Sequence, residues 1–351
     1  MPFYNAEVFL AEAVASIRSQ TWEEWELLAI DDGSADEGAK VIRGIGDPRI
    51  RLIRGTANRG LPARLNQGID LAAGSLIARM DADDVAFPER LEQQASILLR
   101  QPLLDVVATN MVLINADGRP VGMESWRGAD HHEVVARPGG GFHFNHATWL
   151  GRAGWFRRHR YREDAVRTED DDLMLRSFRT SRFYRMPEVL YAYRVGPVSA
   201  AASWQARRHY ARALLREGRV HRDGALFAGA VSQVFKGGTE FLAERLGLMD
   251  RISRHRNDQR VPAPVAESHA GALDRIQAYR VPDGDDTRGV YHPVSSLETT
   301  RSSDSTAPGR PGQGSRGPRG SRHVGRDGNE TPGIRRNPVL PPDRSGRPRT
   351  A

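Results

Sequence analysis

The chain has 351 residues, with 51 Lys+Arg, 44 Asp+Glu, 11 His and no Cys, for a formal net charge of +7. That length accommodates one large domain or two ordinary ones, and the lack of cysteine excludes a disulfide scaffold, a thiolate zinc site and a cysteine nucleophile. A hydrophobic share of 39%, with 35 Gly and 21 Pro, implies a folded part joined to an unstructured one.

Composition divides the chain into three parts: 1–200, where apolar runs alternate with helical patterns; 201–250, which read as helices; and 251–351, rich in Arg, Pro, Gly and Ser. The first part has a βαβ rhythm. Asn5 is placed to cap a helix through Ser19, with Val8, Ala11, Val14 and Ile17 on one face. Trp25 to Ile30 reads as a buried strand ending in Asp31-Asp32-Gly33-Ser34. Ser34 and Glu37 have capping-box spacing for a helix through Ile42. Ile50–Ile53 follows as a strand, Leu61–Ala73 as a helix, and Ser75–Met80 as a strand ending at Asp81-Ala82-Asp83-Asp84. Pro88 opens a helix to Arg100. Val106–Ile114, the Asp117-Gly118 turn and Trp149–Gly151 suggest an antiparallel extension. The expected fold class is α/β, a mostly parallel, Rossmann-like sheet covered on both faces, then C-terminal helices and a tail.

Met1-Pro2-Phe3-Tyr4-Asn5 reads as the end of a strand with no apolar strand before it. The expectation is that the first, central strand lies upstream of residue 1, since unpaired strand edges are costly inside a sheet. Residues 251–351 lack the apolar surface to offset chain entropy and are expected to be disordered. The longest apolar candidate, Ala225–Phe235, is interrupted by Ser232 and Gln233, short of the roughly 20 residues of a membrane span. With no basic–apolar leader at the N-terminus, a cytoplasmic location is expected.

Ligands of open α/β sheets bind at the carboxyl ends of strands, and there the acids cluster. Each acidic pair alone is ordinary turn chemistry. Together, at two strand ends, Asp31-Asp32 and Asp81-Ala82-Asp83 suit a hard divalent cation, Mg2+ or Mn2+, and a sugar hydroxyl. The run Glu169-Asp170-Asp171-Asp172 crowds like charges and raises the proton affinity of at least one; a helix N-terminus favouring acids is the plainer account.

The order Pro2-Phe3-Tyr4-Asn5-Ala6-Glu7, Asp31-Asp32-Gly33-Ser34, Asn58-Arg59-Gly60-Leu61, Asn66-Gln67-Gly68-Ile69, Met80-Asp81-Ala82-Asp83-Asp84 and Pro88-Glu89-Arg90-Leu91 resembles family 2 glycosyltransferases with a GT-A fold. His146-Ala147-Thr148 and Glu169-Asp170-Asp171-Asp172-Leu173 also match the pattern. The resemblance implies inverting transfer of a sugar from a nucleotide-sugar donor to a saccharide or lipid-linked saccharide acceptor in cell-surface or exopolysaccharide assembly. It implies that Tyr4, Glu7, Asp31, Asp32, Asn66 and Asp81 bind the donor, Asp83 a divalent cation, and Asp170 takes the acceptor proton, with His146 and Glu169 on the acceptor side. Relatives carry arginine where this chain has Leu65, with Arg64 one place earlier.

Other features weigh less. His131-His132 with Glu133 does not complete a metal site and reads as an exposed pair. Gly139-Gly140-Gly141 reads as a flexible loop, or a hinge over the donor. Trp155 to Tyr161 mixes aromatics with Arg157, Arg158 and Arg160, and Arg207, Arg208 and Arg212 follow on the next helix. Both suit either a solvated basic face or peripheral contact with a membrane or anionic lipid. Three alternatives to the transferase remain. A nucleotidyltransferase lacks its Gly-rich phosphate loop. A nucleic-acid binder working through the Arg/Gly-rich tail is disfavoured, because no aromatic follows Tyr291. A non-catalytic relic of the fold sits poorly with the retained acids.

Overall fold

The computed structural model describes residues 1–124, 128–196, 199–245 and 261–279. A first sheet holds β1 (Pro2–Phe3), β2 (Leu27–Asp31) and β3 (Ile50–Arg54), all parallel, in the order β1-β2-β3. Helices α1 (Glu7–Arg18), α2 (Gly38–Gly44) and α3 (Leu61–Leu71) connect them and lead onward. β2 reads Leu-Leu-Ala-Ile-Asp and is buried throughout, as a strand covered on both faces must be.

The second sheet has the order β4-β8-β6-β9-β5, with β7 on β6: β4 (Leu76–Ala78), β5 (Val85–Ala86), β6 (Val106–Ile114), β7 (Pro120–Glu124), β8 (Leu150–Arg152) and β9 (Phe183–Arg194). Only β6 and β9 run parallel there; the other pairs are antiparallel. Around it lie α4 (Arg90–Arg100), α5 (His131–Val134), α6 (Ala153–Arg158) and α7 (Glu169–Ser177), then α8 (Ala200–His221), α9 (Gly224–Arg245) and α10 (Ala263–Gln277). β6 is buried at every position, and its polar members find partners: Thr109 Oγ1 donates to Glu188 O and Asn110 Nδ2 to Pro187 O. β9 was not foreseen, because Pro187 and Glu188 interrupt its apolar pattern. The register jumps there, Ala108 facing Arg185 and Asn110 facing Val189, and such a bulge is where a strand tolerates proline.

The first strand is a two-residue piece. Met1 sends its terminal amine to Leu28 O (2.9 Å), where burial and then Arg79 push its pKa down to about 5. A cavity of about 390 Å³ is lined by Leu28 and Ile30 of β2, Leu76 and Ala78 of β4, and Met1.

Two expected caps are absent, for one reason. Asn5 adopts a left-handed backbone (φ 50°) and its Oδ1 accepts from Ala35 N–H (2.9 Å), while Asn5 N–H donates to Ser34 Oγ (3.0 Å). Glu7 Oε2 accepts from Glu37 N–H (2.7 Å), and Glu7 N–H donates to Asp36 Oδ2 (2.9 Å). These side chains tie the loops after β1 and β2 to each other instead of capping their own helices.

The stretch expected to be disordered contains α10, whose Ala272 and Ile276 are buried against Val85, Phe87 and Leu98 in the second sheet's core. The rest of that expectation, including the nucleic-acid reading of the tail, falls outside the described residues apart from 261–262 and 278–279. No described helix is long and apolar enough to cross a membrane.

Candidate active site

The turn after β2 is fully provided for. Asp31 is completely buried; its Oδ1 accepts from Ser34 N–H (2.8 Å) and its Oδ2 lies 3.4 Å from Arg54 Nε. Asp32 Oδ1 accepts from Arg59 N–H (2.8 Å) and Arg64 Nε (2.6 Å), and Oδ2 from Gly60 N–H (2.8 Å). Arg64, one place before the position where relatives have arginine, is spent on this pair and on Ala57 O. Asp32, expected to face the nucleotide, is engaged by these protein donors and shapes the Arg59–Gly60 loop. Asn66, also expected at the donor, clamps the backbone of Tyr161, donating to its carbonyl (2.9 Å) and accepting from its N–H (3.0 Å). Tyr4 is half exposed at the mouth of this edge, and Glu7 is exposed with one oxygen on Glu37.

The turn after β4 is built differently. Asp84 is buried and accepts from Tyr191 Oη (2.8 Å) and Arg194 N–H (2.8 Å), anchoring the turn to β9. Burial, then Asp81 and Asp83, push its pKa up to about 8. Asp81 is partly exposed, with Oδ2 at 2.5 Å from Arg79 Nη1. Burial and Asp81 likewise raise the Asp83 carboxyl, which no other residue's donor satisfies among the described residues. Two hard oxygen donors one residue apart, one of them bonded only by its own backbone N–H, fit a divalent cation that takes its remaining ligands from phosphates and water. The described residues contain no group of three or more acids or histidines able to hold a metal alone. His131 and His132 accordingly form no site: they open α5, His131 packing on Phe183 and His132 exposed.

The acidic run opens α7 and splits in function. Asp172 turns inward, held by Arg176 (2.7 Å), Arg162 (3.6 Å) and Arg216. Glu169 is 9% exposed, and burial followed by Asp170 pushes its pKa up to about 7. Burial also raises Asp170 and Asp171. Desolvation at a helix N-terminus outweighs the dipole here.

Arg79 joins the two acidic groups. Its guanidinium is buried; burial disfavours its charge, but Asp81 and other neighbours more than restore it. Its charge and that of Asp81 act on Glu169, Asp170 and Tyr161 alike. His146 is buried, with Nε2 2.7 Å from Tyr161 Oη, and burial and Arg79 hold it neutral. Asp81, Asp83, Glu169, Asp170 and His146 therefore share one neighbourhood around Arg79, whereas Asp31, Asp32 and Asn66 serve as its framework. Arg79, Tyr161 and Tyr191 were not singled out for it; burial, which a sequence does not print, is what gives them their part.

Two further features take definite form. Trp155, Phe156 and Tyr161 lie in the core and Arg160 is paired with Asp70 (2.5 Å), while Arg157 and Arg158 are exposed, which fits the solvated basic face of the two readings. The Gly139–Gly141 segment is not a free loop: Gly139 abuts Gly229 of α9 so closely that an added Cβ would meet its Cα at 2.9 Å. Gln233 Nε2 donates to Gly139 O (3.0 Å).

Over 204 residues the chain is 37% identical to the putative glycosyltransferase EpsE of Bacillus subtilis, covering 55% of this chain and 71% of that one. It is 35% identical over 100 residues to the Escherichia coli UDP-Glc:alpha-D-GlcNAc-diphosphoundecaprenol beta-1,3-glucosyltransferase WfgD, covering 28% and 40% of the two chains. In fold it is similar to Staphylococcus aureus TarS 1–349, with TM-score 0.51 at 18% identity over 80% of this chain and 79% of that one. A mannosyltransferase from Pyrobaculum calidifontis, solved with GDP-Man and Mn2+, aligns with TM-score 0.50 at 14% identity over 81% and 86%. Residues 1–160 match the family model for glycosyl transferase family 2. With the acidic strand-end turn, the acidic first turn of α7 and this kinship in hand, the chain belongs to the family 2 glycosyltransferases and carries their GT-A fold.

Proposed function

We propose that the protein transfers a sugar, with inversion, from a nucleoside-diphosphate donor to a hydroxyl of a saccharide or lipid-linked saccharide, in cell-surface or exopolysaccharide assembly. The observation that carries this reading is the pair of acidic groups, Asp81–Asp83 and Glu169–Asp170, all within reach of the buried Arg79 charge, with that of Asp81 also felt at Glu169 and Asp170. Asp83, with Asp81, would hold a divalent cation on the diphosphate. When bound, that cation neutralises charge developing on the leaving group. Asp81, oriented by Arg79, accepts from a sugar or ribose hydroxyl. Asp170 takes the acceptor proton on the face opposite the leaving group; its raised proton affinity suits a general base. Tyr4 lies along the nucleoside, while Asp32 and Glu7 contribute through the loops they tie down. Similarity to WfgD and to the succinoglycan biosynthesis protein ExoU of Rhizobium meliloti, 40% identical over 114 residues, supports the polysaccharide setting.

A thermal-shift panel of nucleoside diphosphates with and without Mn2+ tests the donor half. A ligand at a hundredfold excess over its Kd stabilises by about 2.7 kcal/mol. One base is expected to stand out, to require Mn2+, and to lose its shift in Asp83→Ala. No shift with any diphosphate in the presence of metal would remove the reading.

A further inference from the structure

α8 and α9 form a hairpin whose inner side is fixed to the body. Arg216 of α8 pairs with Asp172 of α7, Tyr210 Oη donates to Pro138 O, and Gln233 of α9 donates to Gly139 O. Both helices therefore turn their opposite faces to solvent.

Those outer faces have a shared character. On α9, Ala228, Val231, Phe235 and Gly238 recur at helical spacing as one exposed row, with Val234 and Phe241 along its flank. Val231 is 71% and Phe235 74% exposed, unusually high for large apolar side chains on a helix next to packed neighbours. On α8, Arg208, Arg212 and Arg219 form an exposed row, and Lys236 edges the α9 face.

Among the described side chains this charge is not neutralised locally. Among the described residues of the hairpin, Glu217 faces Arg216 and His221, Asp223 pairs with Arg179, and Glu240 with Arg207. Arg208, Arg212, Arg219 and Lys236 enter no ion pair among the described residues. A cationic row beside an apolar row, with the acids Glu217, Asp223 and Glu240 engaged elsewhere, complements a surface that offers phosphates above hydrocarbon.

We propose that the outer face of the α8–α9 hairpin docks on an anionic lipid bilayer, the arginines among the headgroups and Val231, Phe235 and Phe241 in the interface. This deepens the reading of a lipid-linked acceptor, on which its functional meaning rests: the hairpin is pinned to α7, which carries Glu169 and Asp170, so docking brings the acceptor side to the membrane.

Co-sedimentation of the full chain with phosphatidylcholine vesicles, with and without phosphatidylglycerol, tests it. The chain is expected to partition to the anionic vesicles and to be released by salt. Residues 280–351 are also rich in arginine, so the deciding quantity is the difference between variants of the same full chain. Each of Arg208→Gln, Arg212→Gln and Arg219→Gln is expected to lower partition about fivefold, and Val231→Ser with Phe235→Ser to reduce it further, all at unchanged melting temperature. Equal partition of wild type and variants overturns the proposal. So does a dimer in light scattering that Phe235→Ser dissolves while vesicles leave it intact, since a second copy would then cover the face. Vesicle binding does not depend on sugar transfer: its loss beside an intact nucleotide shift breaks this inference alone, and the reverse breaks only the proposed function.

Discussion

The turns after β2 and β4 have nearly the same sequence character and opposite fates. Asp31-Asp32 meets backbone N–H groups and two arginines until every carboxylate oxygen has a partner. Asp81-Ala82-Asp83-Asp84 meets Arg79 at one end and β9 at the other, and Asp83 between them is half-buried, its carboxylate bonded only by its own backbone N–H among the described residues. The first turn spends its charge on holding loops; the second keeps charge in reserve for a ligand. A carboxylate at a strand end is thus a site only when the fold withholds its partners.

The sharpest way to break this contrast is at α7. Asp170→Asn keeps shape and removes the proposed base, so kcat is expected to fall about 10²–10⁴-fold while the metal-dependent nucleotide shift persists. Full turnover in that variant, measured by release of nucleoside diphosphate with acceptor present, would take the mechanism away. Asp32→Ala strikes the opposite kind of acid. It strands Arg64 without its buried counter-charge, and the expected loss is about 3–5 kcal/mol in denaturant unfolding. If Asp32→Ala instead left stability alone and abolished nucleotide binding, the division between framework and site would be wrong.

Much of the framework was legible because it follows local rules. The continuous apolar run at Val106–Ile114 and the helical period at Leu61–Leu71 name their own elements. β9 escaped because its middle, Pro187-Glu188, breaks the pattern that a bulge then absorbs. The order of acidic motifs gave the family, and Asp81, Asp83, Glu169 and Asp170 do gather. What the motifs could not convey is which side chains are already spoken for: Asp32 and Asp172 bear the same letter as site residues and are held by Arg64 and by three arginines, and Asn66 is held by the Tyr161 backbone. Partnering of this kind depends on segments far apart in the chain, such as Asp172 with Arg216.

The smallest effect concerns Glu169, and it is read in pH. Burial and Asp170 raise its pKa from 4.5 to about 7, so the folded state holds a proton that the unfolded chain has released. Between those values the unfolded state binds fewer protons, and stability falls as pH rises. The cost of ionising Glu169 is absent below about 4.5 and complete above about 7. Glu169→Gln removes it. The melting temperature of wild type is therefore expected to drop relative to the variant across that window, and to match it most closely at the acid end. The same substitution relieves Asp170 of a neighbouring charge. Because the two titrate as a pair, the acid limb of the transfer rate is expected to move to lower pH in Glu169→Gln. A limb that stays put while the stability curve flattens would separate Glu169 from the base, leaving it an acid that shapes α7 without tuning the chemistry.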